Sequence, residues 1–160
     1  MIPRILAAFG MIVTVMGIAF LAIGPVSSAN PAPDPTCVKE CSACHLAYPS
    51  QFLPKRSWDR ILGSLDKHFG ENATLPAKSL ASIKTYLEAH AADSGNANPR
   101  ILAGVTASQT PLRITELPYW TRIHSRLMAR KAFDAPKVKS AANCTACHRG
   151  AANGVFGDDD

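Results

Sequence analysis

Long alternating runs of valine, isoleucine and threonine are missing from this 160-residue sequence, so nothing in it reads as a half-buried β-sheet. Strand–helix alternation is missing too, which excludes an α/β barrel or doubly wound sheet. Runs of lysine and arginine are absent despite a formal charge of +5, so the basic balance does not make a nucleic-acid surface. Charge is scarce at the N-terminus, where Arg4 stands alone before Asp34. Methionine is scarce as well: Met1, Met11 and Met16 precede that aspartate, and only Met128 follows it. Histidine is limited to five residues. Any chemistry that needs sulfur or imidazole ligands therefore has few candidates.

What fills the charge-poor N-terminus is an apolar stretch from Ile5 to Gly24, followed by Val26-Ser27-Ser28-Ala29. Ser27 and Ala29 have the spacing that a signal peptidase reads. Residues 1–29 are expected to be a secretory signal peptide cleaved after Ala29. The apolar core approaches the roughly 20 residues of a membrane-spanning helix, so an uncleaved anchor is the alternative. Either way the rest of the chain is exported. Pro35 and its neighbours lack the small and apolar types of a lipoprotein cleavage site before Cys37. Residues 30–36, rich in proline, are expected to be an extended leader into a single domain, 37–160.

Helical periodicity is clearer than any strand signal. Ser57 can cap SWDRILGSLDKHF, whose apolar face holds Trp58, Ile61, Leu62, Leu65 and Phe69, with Gly70 closing it. Pro76 opens PAKSLASIKTYLEAH, lined by Leu80, Ile83 and Leu87. A third helix is expected from Pro118, lined by Trp120, Ile123 and Leu127, and a short one near residue 144. The expected fold is a small, mostly α domain with long irregular connections. Loops of that length make sense if something other than side chains occupies the centre.

Five cysteines are present, and four of them fall into one pattern used twice: CSACH at Cys41–His45 and CTACH at Cys144–His148. Two thiols separated by two residues can bond both vinyl groups of one haem. The histidine that follows then reaches the iron as proximal ligand. Two copies in an exported chain this short point to two covalently attached haem c groups. Cys41, Cys44, Cys144 and Cys147 would be the attachment points, and His45 and His148 the proximal ligands. Cys37 with Cys41 and Cys44 also makes C-x3-C-x2-C, an iron–sulfur spacing. That reading needs a larger cytoplasmic α/β protein and leaves CTACH unexplained. Zinc is less economical, because the two motifs lie about a hundred residues apart.

The sixth position on each iron must come from His68, His90, His124 or Met128. Each of the three histidines falls on the apolar face of its expected helix, where a lone histidine is ordinarily a satisfied boundary residue. Two irons short of ligands change that balance, because ligation satisfies a buried ring nitrogen. Periodicity does not choose among them. His68 follows His45 by 23 residues and His124 precedes His148 by 24, while His90 could serve either site.

Five segments carry a resemblance. They are CxxxCxxCHxxYP at 37–49, LPKRSWDRIL at 53–62, HFGENA at 68–73, PLRITELPYW at 111–120 and CTACHRGAANGVF at 144–156. Together they resemble the small dihaem cytochrome c family of Gram-negative bacteria, over nearly all of the chain after the leader. The resemblance implies a small cytochrome domain wrapped around both haems, bis-histidine and low-spin, serving as a periplasmic electron carrier. It implies His68 and His124 as distal ligands, while His90 and Met128 stay the alternatives that the residues alone leave open. It also implies a redox partner: another exported cytochrome, in some members a high-spin, oxygen-binding haem protein, with a membrane cytochrome b as a plausible donor. Contact with the membrane itself follows only if the N-terminal helix is retained.

A dihaem enzyme of peroxidase type is the alternative, and it would need one labile or open distal site. A haem sensor would need an output domain. Lys55, Arg56 and Arg60, and Arg122, Arg126, Arg130 and Lys131, could steer an acidic partner, although on most helix faces such cations are simply solvated. Cys37 is left without a haem role. It could link two chains, stay buried as a small apolar group, or be redox-active.

Overall fold

The computed structural model describes residues 32–95 and 97–157. The expected signal peptide or anchor, residues 1–29, lies outside them. Five short α-helices and seven single 3-10 turns make up the described residues, with no strand beyond an isolated bridge between His68 and Glu71. None of these helices is long and apolar enough to cross a membrane.

The expected leader is shorter than its composition implies, because α1 (Pro35–Cys41) begins inside it. Asp34 supplies the cap: its carboxylate accepts from the Cys37 backbone N–H at 2.9 Å, and Pro35 sits where a missing N–H costs nothing. The helix α2 (Lys55–Leu62) starts two residues before Ser57, so Ser57 is no cap. Pro54 presets the entry, and Asp93, 38 residues away in sequence, accepts from the Lys55 N–H at 2.8 Å. Ser57 is instead fully buried inside the helix. The helix also stops early. Gly63 is its C-cap, and the Ser64 hydroxyl turns back to donate to the Arg60 carbonyl at 2.9 Å. A separate turn, Leu65–Lys67, follows, so His68 is not on a helix face at all.

The longest helix, α3 (Ala77–Ala89), agrees with its predicted span and apolar line: Ile83 and Leu87 are buried. It packs on α2 and α1, and these three helices carry the core. Cys37, Leu53, Trp58, Ile61, Ile83, Leu87, Ala91, Ala92, Ile101 and Leu117 form one cluster. Each large apolar side chain buried there contributes roughly 1.5–3 kcal/mol. The Trp58 indole N–H donates to the Ser50 carbonyl at 2.8 Å, which satisfies its one polar atom.

Beyond Leu117 the architecture changes. The expected third helix starts at Pro118 but breaks at His124 into α4 (Pro118–Ile123) and α5 (Ser125–Ala129). Neither buries a residue fully, and Ile123 is 55% exposed. The second cysteine motif holds only a 3-10 turn, Cys144–Ala146. In this C-terminal segment Ala151 is the one apolar side chain counted as core. Gly150 has a steric reason here, since a Cβ would meet that of Val155 at 2.7 Å.

Candidate functional site

Each cysteine motif sits on a short turn that folds back on itself. Cys41 is the last residue of α1, and its carbonyl accepts from the His45 N–H at 3.4 Å. In the second motif the Cys144 carbonyl accepts from the His148 N–H at 2.8 Å. Both turns therefore bring the histidine back over the first cysteine. Cys44 and Cys147 are exposed, while Cys41 and Cys144 are partly covered.

Opposite each proximal candidate stands a second imidazole. The His45 and His68 rings have centres 6.0 Å apart with planes 24° from parallel. The His124 and His148 rings are 6.1 Å apart and nearly perpendicular, at 87°. An imidazole nitrogen binds a transition metal at about 2 Å and lies about 1 Å from its ring centre, so two rings opposed across one metal have centres about 6 Å apart. Both pairs fit that requirement. These are the only histidine pairs in ring contact among the described residues.

Hydrogen bonds orient the rings. His45 Nδ1 lies 2.6 Å from the Leu46 carbonyl and His124 Nδ1 lies 3.0 Å from that of Trp120. Metal-binding histidines commonly donate their other ring N–H to a carbonyl in this way, which leaves Nε2 for the metal. His90 has the same kind of bond, to the Tyr86 carbonyl at 2.9 Å. Its ring, however, faces only Tyr86, at 4.8 Å. His90 is the C-cap of α3, and this contact is a helix-end interaction. Met128 is exposed on α5, one turn after His124, whose carbonyl accepts its N–H at 3.0 Å. The structure thus brings His68 and His124 to the cysteine motifs and gives His90 no such place.

The walls of the sites include residues with no metal-binding chemistry of their own. Tyr48 stacks on His45 at 4.9 Å and donates its hydroxyl to the Ala142 carbonyl at 2.9 Å, tying the two motifs together. Phe156 lies 5.6 Å from His148 and 4.9 Å from Phe52, which makes a second tie. Trp120 stacks on His124 at 4.3 Å. Phe69, in the left-handed region at φ 53, carries Arg113 over its ring at 4.2 Å. The HFGE and PLRIT segments are thus in direct contact. Burial, with the nearby His45 and Arg113 as smaller causes, lowers the pKa of His68 and favours the neutral imidazole a metal needs. In the sequence Tyr48 and Phe156 stood inside motifs without a role, Phe69 and Trp120 read only as helix-face residues, and Phe52 stood out in no pattern. For Tyr48 and Phe156, a position shortly after each CxxCH was the available signal.

Cys37 is 4% exposed, with its sulfur 4.0 Å from that of Cys41. That contact, reinforced by burial, pushes its thiol far above the ordinary range and lowers that of Cys41. No three His, Cys, Asp or Glu side chains converge among the described residues, so neither a zinc tetrad nor an iron–sulfur cluster has a ligand set.

No curated protein matches the chain. Among solved structures, a diheme cytochrome c from Rhodobacter sphaeroides is 46% identical and superposes with a TM-score of 0.71, covering 77% of this chain and 96% of its own. A new diheme cytochrome type c from Shewanella baltica OS155 is 35% identical, with a TM-score of 0.63 over 77% of this chain and 86% of its own. The dihaem cytochrome c family model matches residues 37–156. The chain belongs to the dihaem cytochrome c family and carries two haem c groups.

Proposed function

We propose that this protein is a periplasmic single-electron carrier whose two haems are both held by histidine pairs, His45 with His68 and His148 with His124. The observation that carries the reading is the 6.0 and 6.1 Å separation of the two pairs, each with one member inside a CxxCH motif. Cys41 and Cys44, and Cys144 and Cys147, are the thioether anchors. Haem c supplies a one-electron ferric/ferrous couple when bound. The four histidines would hold both irons, so that oxygen and peroxide would find no open site and only electrons would be exchanged. Histidine in place of methionine on the distal side also keeps the potential low. Trp120, Tyr48 and Phe156 pack against ligand rings and restrict their rotation.

Electrons would pass to another exported haem protein, of the high-spin, oxygen-binding kind or a further cytochrome, and a membrane cytochrome b is the proposed donor. The expected signal segment is the support for the periplasm. The test is optical and EPR spectroscopy of the ferric holoprotein. Two low-spin signals of different shape are expected, because parallel imidazole planes split the iron orbitals and perpendicular planes leave them nearly degenerate. The first belongs to the 24° pair and the strongly anisotropic one to the 87° pair. His68→Met and His124→Met should each change one signal and raise one potential, while His90→Ala changes neither. A high-spin population, or stoichiometric carbon monoxide binding after reduction, would overturn the reading in favour of a peroxidase-type enzyme.

A further inference from the structure

Charge is divided unevenly between the two haem-binding parts of the chain. Residues 32–116 carry nine lysines and arginines and eight carboxylates. Residues 117–157 carry seven and one, the single carboxylate being Asp134. Asp158 to Asp160 close the chain, and with them the cations still lead by seven to four. A haem brings the same two propionates to either part, so the contrast survives loading.

Pairing differs in the same direction. All six ion pairs of the described residues lie between Lys39 and Glu116. The seven cations from Arg122 to Arg149 are all exposed and make no ion pair with another described residue. The nearest thing to a partner is the Tyr119 ring, 5.3 Å from the Arg122 guanidinium. A face that served only solubility would carry both signs interspersed, as residues 32–116 do. An excess of exposed cations beside a redox centre raises the encounter rate with an oppositely charged protein and orients it before contact.

We infer that the C-terminal part, around His124 and His148, is the docking face for an acidic redox protein, and that electrons enter or leave the molecule there. The inference rests on the carrier function proposed above and adds a place and a partner chemistry to it. The exposed Ile123 and Met128 flank His124 and are left out of the surface, since ligand neighbours are the side chains that cover a porphyrin.

The test uses the loaded, full-length protein and a reduced, acidic plant-type ferredoxin as the probe. Second-order electron transfer is followed by stopped flow at about 10 mM and about 150 mM salt, where charges are felt over about 30 and about 8 Å. The wild-type rate should fall at least about tenfold as salt is raised. Two charge-reversed triples, R122E/R126E/R130E and K131E/K137E/K139E, should each lose about tenfold at low salt and flatten the salt dependence. The second contains no neighbour of a ligand and stands alone if the first folds poorly. The control triple R60E/K78E/R100E, in the balanced part, should stay within about twofold. Equal loss in control and C-terminal triples, or no loss in any, overturns the inference. So does a C-terminal triple that loses binding to phosphatidylglycerol vesicles with its ferredoxin rate intact, which would make the face a membrane surface. Low-spin spectra in all variants keep this outcome separate from failure of the carrier reading.

Discussion

Cys37 illustrates how much a single side chain depends on its surroundings. Its thiol is shielded in the core, 4.0 Å from the sulfur of Cys41. Once Cys41 is a thioether, its sulfur can only accept, so the Cys37 S–H becomes the donor between them. Burial argues against the intermolecular disulfide that an odd cysteine in an exported chain invites. The native holoprotein should therefore run as a monomer on a non-reducing gel and resist alkylation until denatured. Cys37→Ser should destabilise it by about 1–3 kcal/mol in urea unfolding, because a hydroxyl is buried without an equivalent partner, and Cys37→Ala by less. A dimer band lost in Cys37→Ser would sink this account. His90 is the contrasting case. It shares residue type and a ring contact to a backbone carbonyl with His45 and His124, and differs from them in having no second imidazole across from it.

At the scale of elements, α2 and α3 are clamped by charge as well as by core packing. Glu88 lies 3.0 Å from Lys55 and 2.9 Å from Lys84, and Lys84 also pairs with Asp59. Lys84 first, then Asp59 and Lys55, lower the pKa of Glu88 from 4.5 to about 2. A carboxylate depressed in the folded state stabilises fully above its unfolded value and loses that contribution as pH falls through the folded one. Glu88→Gln should thus lower the thermal midpoint at pH 6. Its difference from wild type should shrink as pH drops from about 4.5 towards 2. A difference that stays constant across that window would show that the clamp is not ionic. The helix interruptions have a related logic. Gly63 with Ser64 ends α2, and His124 divides α4 from α5, so each distal candidate sits at a break where its ring can turn towards a motif.

For the whole molecule, the two haem-binding parts are built on different supports. Residues 37–117 hold all ten members of the core cluster, whereas residues 118–157 reach it only from outside, through Tyr119 and Trp120, and lean otherwise on Tyr48, Phe52 and the histidine rings. The C-terminal part cannot bury enough apolar surface by itself to offset the entropy of ordering its turns. Cys144→Ala/Cys147→Ala should bind one haem and lose amide protection across 118–157. Residues 35–117 should keep theirs, as read by hydrogen exchange. Protection retained in both parts would mean that the Tyr48 and Phe156 ties suffice.

The two CxxCH motifs and the span of α3 were legible from sequence alone. They rest on spacing of two or three residues and on a 3.6-residue period, both local properties of the chain. The boundaries of α2 were not, because its cap comes from Asp93 and its end from a serine that bonds its own backbone. The unbroken third helix was overestimated, since periodicity counts Ile123 and Leu127 as core without knowing what faces them. Choosing His68 and His124 over His90 needed either the family resemblance or the folded chain. The histidines that meet are far apart in sequence, and only tertiary structure sets two rings 6.0 or 6.1 Å apart.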